Sequence, residues 1–476
     1  MRMLAPCALL LACAPAAAQE PVEITQALLD EIVAAGLPQV RQQAGAGLEH
    51  GVRVRISDAH EVERILAQEN APVLRMAAGG EEEARRMAEE LAASLASALL
   101  AKYAWSSREI LVCPENFRVM ADVLGRESLR GLPVLRAVVV HELVHAAADQ
   151  RFDLAGCFAA LPDAAAVQAF NAVVEGHAQH VARRVCAELG WSEGFEDYTG
   201  SITAPPLALE GEGEGVKLLA RNLTSVFAVL YRDGERFVAY LAQEGGDAAL
   251  ERAFREPPAS VELVSAPEWY LHPERRPRLL YELDGALDAV AADFPAERWI
   301  TQRITLASSQ LESALAPLSA EEIEPIQRAL RQARVLTATG VDQPGERLVA
   351  VALMEFAASA DAQRYLTTYE RLQKARDAIM QEGAVRILEA HYAPLRPPLP
   401  QGIALRKTLA VGGQEAPLIA VAAARGSLVV EALVSNWPDY VQEELWALAV
   451  RALDSGRDHL RAPADPPADA AAAEPR

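Results

Sequence analysis

Basic residues are the minority charge in this chain: 45 Lys and Arg stand against 66 Asp and Glu, a formal net charge of −21. Nucleic-acid binding needs clustered cations to neutralise phosphates, so this balance speaks against that class of partner and mainly favours solubility. Cysteine is scarce, five in 476 residues. Cys7 and Cys13 fall in a leader segment, which leaves Cys113, Cys157 and Cys186. Three cysteines exclude a disulfide framework. They leave two readings open: one bridge, Cys157 with Cys186, tying the loop after a motif helix to the next helix, or three buried thiols. Beyond the leader, no segment reaches the roughly 20 consecutive apolar residues of a membrane span, so the expectation is a protein that is not integral to a membrane.

The leader itself is present and legible. Arg2, the apolar run from Leu4 to Cys13 and the small residues Ala16-Ala17-Ala18 form a secretory signal with cleavage after Ala18. Leu10-Leu11-Ala12-Cys13 also resembles a bacterial lipobox, so a lipid anchor at Cys13 is the second outcome. Either way the mature chain is expected outside the cytoplasm, periplasmic or secreted.

The chemistry concentrates in His141-Glu142-Leu143-Val144-His145. On a helix, residues four apart lie one turn above each other, so both imidazoles can point at a single metal ion. Glu142 flanks that ion, placed to take a proton from a water that zinc has made acidic, with a pKa of about 7. Pro133 suits a first helical turn, and Leu135, Val138 and Val139 recur at helical spacing up to His141. A third ligand is needed. The next helical pattern, about Val167 to Leu189, offers Glu175, His177 and His180, and the two histidines sit two and five residues off the face that Glu175 occupies. Gln179 lies one turn beyond Glu175 and Asp149 one turn beyond His145, both placed to hydrogen-bond metal ligands.

The run HELVHAAADQRFDL, His141 to Leu154, followed by VVEGHAQ, Val173 to Gln179, resembles a group of prokaryotic secreted or surface HExxH proteins, with the pattern HELTHALQDQ-x-FDL and then LxEGxA. Further stations follow in order: Tyr231 to Val238, Gly245-Gly246, Ala253-Phe254, Pro257-Pro258 and Leu271-His272-Pro273-Glu274. The likeness covers roughly Ala104 to Pro277. Ala147-Ala148 replaces the usual Leu-Gln, and His177 stands where an acidic residue is commoner, leaving an extra imidazole beside the site. In its metal motif the group is similar to gluzincin metallopeptidases, which implies Zn²⁺ held by His141, His145 and Glu175. It also implies a peptide or protein substrate. In gluzincin-like folds the strand before the motif helix is often an edge to which an extended peptide adds, a role open to Ile110 to Val112 in the strand Ser107 to Cys113. An ordinary sheet strand is the other reading. A donor to the developing oxyanion is also required; His272 is the first candidate, Tyr231 and Tyr270 the alternatives.

The length accommodates two domains or more. The expected fold is α+β and helix-rich: a gluzincin-like zinc metallopeptidase domain followed by a smaller module of antiparallel sheet plus helices. After the signal at 1–18, the region 19–105 reads as mostly helical, with Glu81 to Lys102 carrying an apolar stripe Met87, Leu91, Leu95, Leu99. The zinc domain spans 106–300. It contains an acidic EGEGEG loop at 210–215, a lid or a solvated linker, and helical pattern from Val216 to Phe254. A helical connector follows at 301–340, within a helical run from about Ala296 to Ala333, with a capping box at Ser319 to Glu322. The module at 341–461 has strands at Leu348 to Phe356, Ile403 to Val411, Leu418 to Ala424 and Leu428 to Val434. Its helices, Ala360 to Met380 and Tyr440 to Ser455, are expected to cover one face of the sheet. The tail 462–476 reads as disordered. The functional expectation is a secreted zinc metallopeptidase with Glu142 as general base. The competing one is an extracytoplasmic binding or assembly protein that keeps a metal for structure alone.

Overall fold

The computed structural model describes residues 21–44, 48, 51–75, 80–203, 228–306, 308–315, 317–341, 347–380, 385–394, 401–411, 414–437 and 440–460. The signal segment with Cys7 and Cys13, the EGEGEG loop and the tail lie outside them. The chain divides into two compact units, the first ending at Ala239 and the second beginning at Tyr240.

In the first unit, α1 (Gln26–Gln43) starts where Thr25 Oγ1 accepts from Leu28 N at 3.3 Å. α2 (Ala59–Leu74) starts where Asp58 Oδ1 accepts from Glu61 N at 2.8 Å. α3 (Glu81–Leu95) pairs with α2, but not on the expected stripe. Ala84, Ala88, Ala92 and Ala96 are the buried face, while Leu91 is 37% exposed. Lys102, expected at the end of this helix, instead lies in a strand.

Three short strands form a sheet in the order β1-β3-β2, with β1 Arg53–Ile56, β2 Ala101–Ala104 and β3 Glu109–Val112. β1 runs parallel to β3 and β2 antiparallel to it. The strand offered as a peptide-binding edge, β3, is therefore the central one. Its backbone groups are committed on both sides, and the edge that remains beside the motif helix is β2. β3 falls within the strand expected at Ser107 to Cys113, whereas β1 and β2 lie in the region read as mostly helical, because four-residue strands show too few alternations to declare a period.

α4 (Pro114–Leu124) begins on Pro114 and ends on Gly125, which takes φ 65°. α5 (Leu132–Phe152) has Pro133 in its first turn and is buried almost throughout from Val134 to Ala148. Leu29, Ile32 and Val40 of α1 share one core with Val139, Val140 and Leu143 of α5. The N-terminal region is therefore joined to the motif helix in one unit. α6 (Leu154–Ala159), α7 (Ala164–Glu188) and α8 (Ser192–Thr203) follow, with Asp163 capping α7 through a 2.8 Å bond from Ala166 N. A π-helical turn, Ala228–Asp233, opens into the helix Gly234–Arg255. Cys113, Cys157 and Cys186 are free thiols, so the Cys157 to Cys186 bridge is not formed, and Cys157 is only half-buried.

The second unit is built on a seven-stranded antiparallel sheet in the order β4-β5-β6-β10-β9-β8-β7. Its strands are β4 Trp299–Thr305, β5 Leu330–Gly340, β6 Leu348–Phe356, β7 Val385–Pro394, β8 Gly402–Val411, β9 Gln414–Arg425 and β10 Leu428–Ser435. Two corrections follow. The expected helical run from Ala296 to Ala333 is interrupted at both ends by strand, since β4 and the start of β5 occupy it. Between them the capping box of Ser319 and Glu322 does start a helix, Ala320–Ala329. The sheet is also covered on both faces. The helices Leu283–Ala291 and Gln442–Asp458 pack on one face against Val421, Ala423, Val430 and Ala432. The helix Ser359–Met380 packs on the other against Ala420, Ala422, Ala424 and Val429. Burial on both faces is why β9 reads as an almost unbroken apolar run. Among the described residues, no helix is long and apolar enough to cross a membrane.

Candidate metal centre

α5 carries His141, Glu142 and His145 into the interior, where all three are buried. Polar groups there cost free energy unless they find partners. They find them in each other and in α7. His141 Nε2 lies 3.1 Å and His145 Nε2 3.3 Å from Glu175 Oε2, and the two imidazole nitrogens are 3.0 Å apart. Among the described residues this is the one group of His, Cys, Asp and Glu whose ligand atoms converge in the way a metal ion requires. A tetrahedral ion with bonds of about 2.0–2.1 Å separates its ligand atoms by about 3.3 Å, so the three donors already stand close to the spacing of one coordination face. The donor set fits a metal.

The pairing shows in the electrostatics. Burial depresses the His145 pKa, but the Glu175 carboxylate outweighs it by charge and hydrogen bond and leaves that histidine above its ordinary value. Burial would raise Glu175; His145 and His141 override it and hold the carboxylate well below its usual range. Glu175 thus stays a charged carboxylate beside the two imidazoles.

Two backbone approaches set this geometry. Gly176, next to Glu175, lies so close to the start of helix Gly234–Arg255 that an added Cβ would sit 2.1 Å from Gly234 C. Only glycine permits that contact, which lays the π-helical turn over the cluster. Gly194 of α8 likewise meets Pro133 O of α5, where a Cβ would be 2.3 Å away. These contacts deliver Tyr231 and Tyr198, whose rings lie 5.8 and 6.0 Å from the His141 ring. The two phenols are hydrogen-bonded to each other, and burial, followed by the nearby carboxylates, pushes both pKa values well above 10.

Glu142 Oε2 accepts the backbone N–H of Tyr103, on β2, at 2.6 Å. Its other oxygen makes no hydrogen bond among the described residues. A cavity of about 460 Å³ opens here, with Glu142, His145, Glu175, Tyr198 and Tyr231 in its wall.

The other expected residues fall in different places. Asp149 does not hydrogen-bond a histidine. It accepts from Tyr103 Oη at 2.8 Å and from Leu154 N at 3.0 Å, and so braces the strand that holds Glu142. Gln179 accepts from Thr199 at 3.5 Å and leaves Glu175 alone. His177 is buried on α7 outside the donor triangle; burial, with His145 and His180 nearby, pulls its pKa down to about 3. His180 is partly buried, its pKa also lowered by burial. His272 belongs to the second unit, where Nδ1 lies 3.5 Å from Glu274 Oε1. In the same unit, Tyr270 donates to Glu256 O at 2.8 Å. Tyr103 and Tyr198 were not singled out from sequence. Neither sits in a motif, and only the alternation Ala101-Lys102-Tyr103-Ala104 hints at the strand that bears the first.

A scan against protein-family models finds no match to this chain, and a search of curated proteins finds no similar sequence.

Proposed function

We propose that this chain is a zinc metallopeptidase of the gluzincin type, acting outside the cytoplasm on a peptide or protein substrate. The observation that carries the reading is the donor triangle of His141, His145 and Glu175, with edges of 3.0, 3.1 and 3.3 Å, set beside a carboxylate that faces a cavity. Structural zinc sites are closed by protein ligands, whereas catalytic sites keep a position open. Among the described residues the convergent group stops at three ligands, which favours catalysis over a metal kept for structure.

Zinc, when bound, supplies Lewis acidity toward a water and toward the substrate carbonyl. The chain's residues supply the rest. The N–H of Tyr103 fixes one oxygen of Glu142, which lines the cavity, and the carboxylate can accept a proton from the attacking water and pass it to the leaving amine. Tyr231 donates its phenol to Tyr198, which orients the Tyr198 hydroxyl as a donor to the negative charge that develops on the carbonyl oxygen. In this reading the pair takes the role expected of His272. β2 contributes Ala101, Lys102 and Tyr103 to the cavity wall and, among the described strands, pairs only with β3, which gives an extended peptide an edge to lie against.

Metal analysis tests the ligand set. The purified protein should carry about one zinc per chain, and His141→Ala or His145→Ala should abolish it, because two remaining ligands seldom hold zinc. After dialysis against a weak chelator, Glu175→Ala should lose far more metal than His177→Ala or His180→Ala. Greater loss in His177→Ala would replace the carboxylate site with a three-histidine one.

A further inference from the structure

The cavity continues away from the cluster as an apolar chamber, and α3 forms part of its wall. Ala84, Ala88 and Ala92 of α3 and its C-cap Ala96 are buried, while Leu91 and the partly buried Leu95 of α3, with Leu99 beyond its end, line the cavity. Leu66, Phe158 and Val174 face them. The charged residue in this part of the wall, Lys102, is already neutralised by Glu69 at 2.9 Å and lies over the Trp105 ring at 4.7 Å. Asn70 is bonded to Leu66 O at 2.9 Å; Gln168 and Asn171 are uncharged amides. Among the described residues of this part of the wall, the one charged group, Lys102, is ion-paired, and the cluster stands at the chamber's end.

We infer that this chamber selects a substrate segment with at least two consecutive bulky apolar residues, an inference that rests on the peptidase reading above. The metal ligands and the leucines share one cavity, so whatever fills the chamber is joined to the bond placed at the cluster. A volume of about 460 Å³ falls within the roughly 300–1,000 Å³ that encloses a whole small ligand, which is more than one side chain occupies. The substrate class is therefore a polypeptide with an exposed apolar stretch, such as an unfolded or unassembled chain.

The test reads binding in zinc-loaded protein carrying Glu142→Gln, so that it does not depend on turnover. Three fluorescein-labelled octapeptides with central Leu-Leu, Leu-Ser or Ser-Ser are compared by fluorescence anisotropy. The Leu-Leu peptide should bind at least about tenfold more tightly than Leu-Ser, and Leu91→Asp should erase the difference. Leu91 is exposed enough for the fold to accept the change; Leu91→Gln serves as the second variant. Equal affinities for the three peptides, failure of all three to bind, or a preference that survives both Leu91 variants would overturn the inference. A preference accompanied by no hydrolysis in the wild-type protein would sink the peptidase reading alone.

Discussion

Tyr103 donates its backbone N–H to Glu142 Oε2 at 2.6 Å, so an edge strand and the motif helix are joined at the residue proposed as the base. The same tyrosine donates its phenol to Asp149 Oδ2 at 2.8 Å, one turn past His145. Glu142 is thus held by a strand whose position depends on a second bond to its own helix.

Tyr103→Phe tests that coupling. It removes the bond to Asp149 and keeps the backbone N–H, and loss of a hydrogen bond to a charged acceptor should cost about 1.5–3 kcal/mol in urea unfolding. Hydrolysis should fall more than metal content does, since the metal ligands are untouched. A variant as stable as wild type would show that Asp149 gains nothing from the phenol.

Gly176→Ala should be far more damaging than an ordinary Gly to Ala change inside a helix. The added methyl would meet Gly234 backbone atoms that cannot move aside cheaply, costing about 3 kcal/mol, and would shift the turn that carries Tyr231. Denaturant unfolding together with zinc affinity reads both consequences. A stabilised variant, the usual result in a helix, would mean that the contact between α7 and the helix Gly234–Arg255 is looser than described.

The pH dependence of the first unit should carry a signature from Glu61. Its hydrogen bonds from Arg55 and then from Ser57 lower its pKa from 4.5 to about 2. A carboxylate depressed on folding contributes stability above its unfolded pKa, and that contribution disappears as pH falls through the folded value. Glu61→Gln should therefore be less stable than wild type by roughly 1 kcal/mol at pH 7, a modest figure because the pair is partly solvated. The gap should close between about pH 4.5 and pH 2. Thermal melts of both proteins across that range would show it; a gap that widens on acidification contradicts the assignment.

Much of the site was legible because its chemistry is local. His141, Glu142 and His145 fall within five residues whose helical period fixes their common face, and Glu175 follows from the phase of the next helix. The residues that surround them are not local. Tyr103 reaches Glu142 across 39 residues through a four-residue strand, and Tyr198 arrives because Gly194 lets α8 approach Pro133, which no sequence period reports. Asp149 and Gln179 show the limit of helix phase. One turn of offset puts a side chain on the right face without saying whether Tyr103 or Thr199 will claim its oxygen first. In the second unit, the long strands β6, β8, β9 and β10 announced themselves by composition. β4, exposed from Ile300 to Ile304 and with no apolar alternation, is set as a strand by its pairing with β5.

The most direct measurement is the rate of peptide hydrolysis by zinc-loaded Glu142→Gln beside its metal content. The amide retains the size of the carboxylate and cannot accept a proton from water, so the variant should keep about one zinc per chain while its rate falls roughly 10²- to 10⁴-fold. Hydrolysis at the wild-type rate in a fully loaded variant would contradict the assignment of Glu142 as the base and, with it, the peptidase mechanism built on this site.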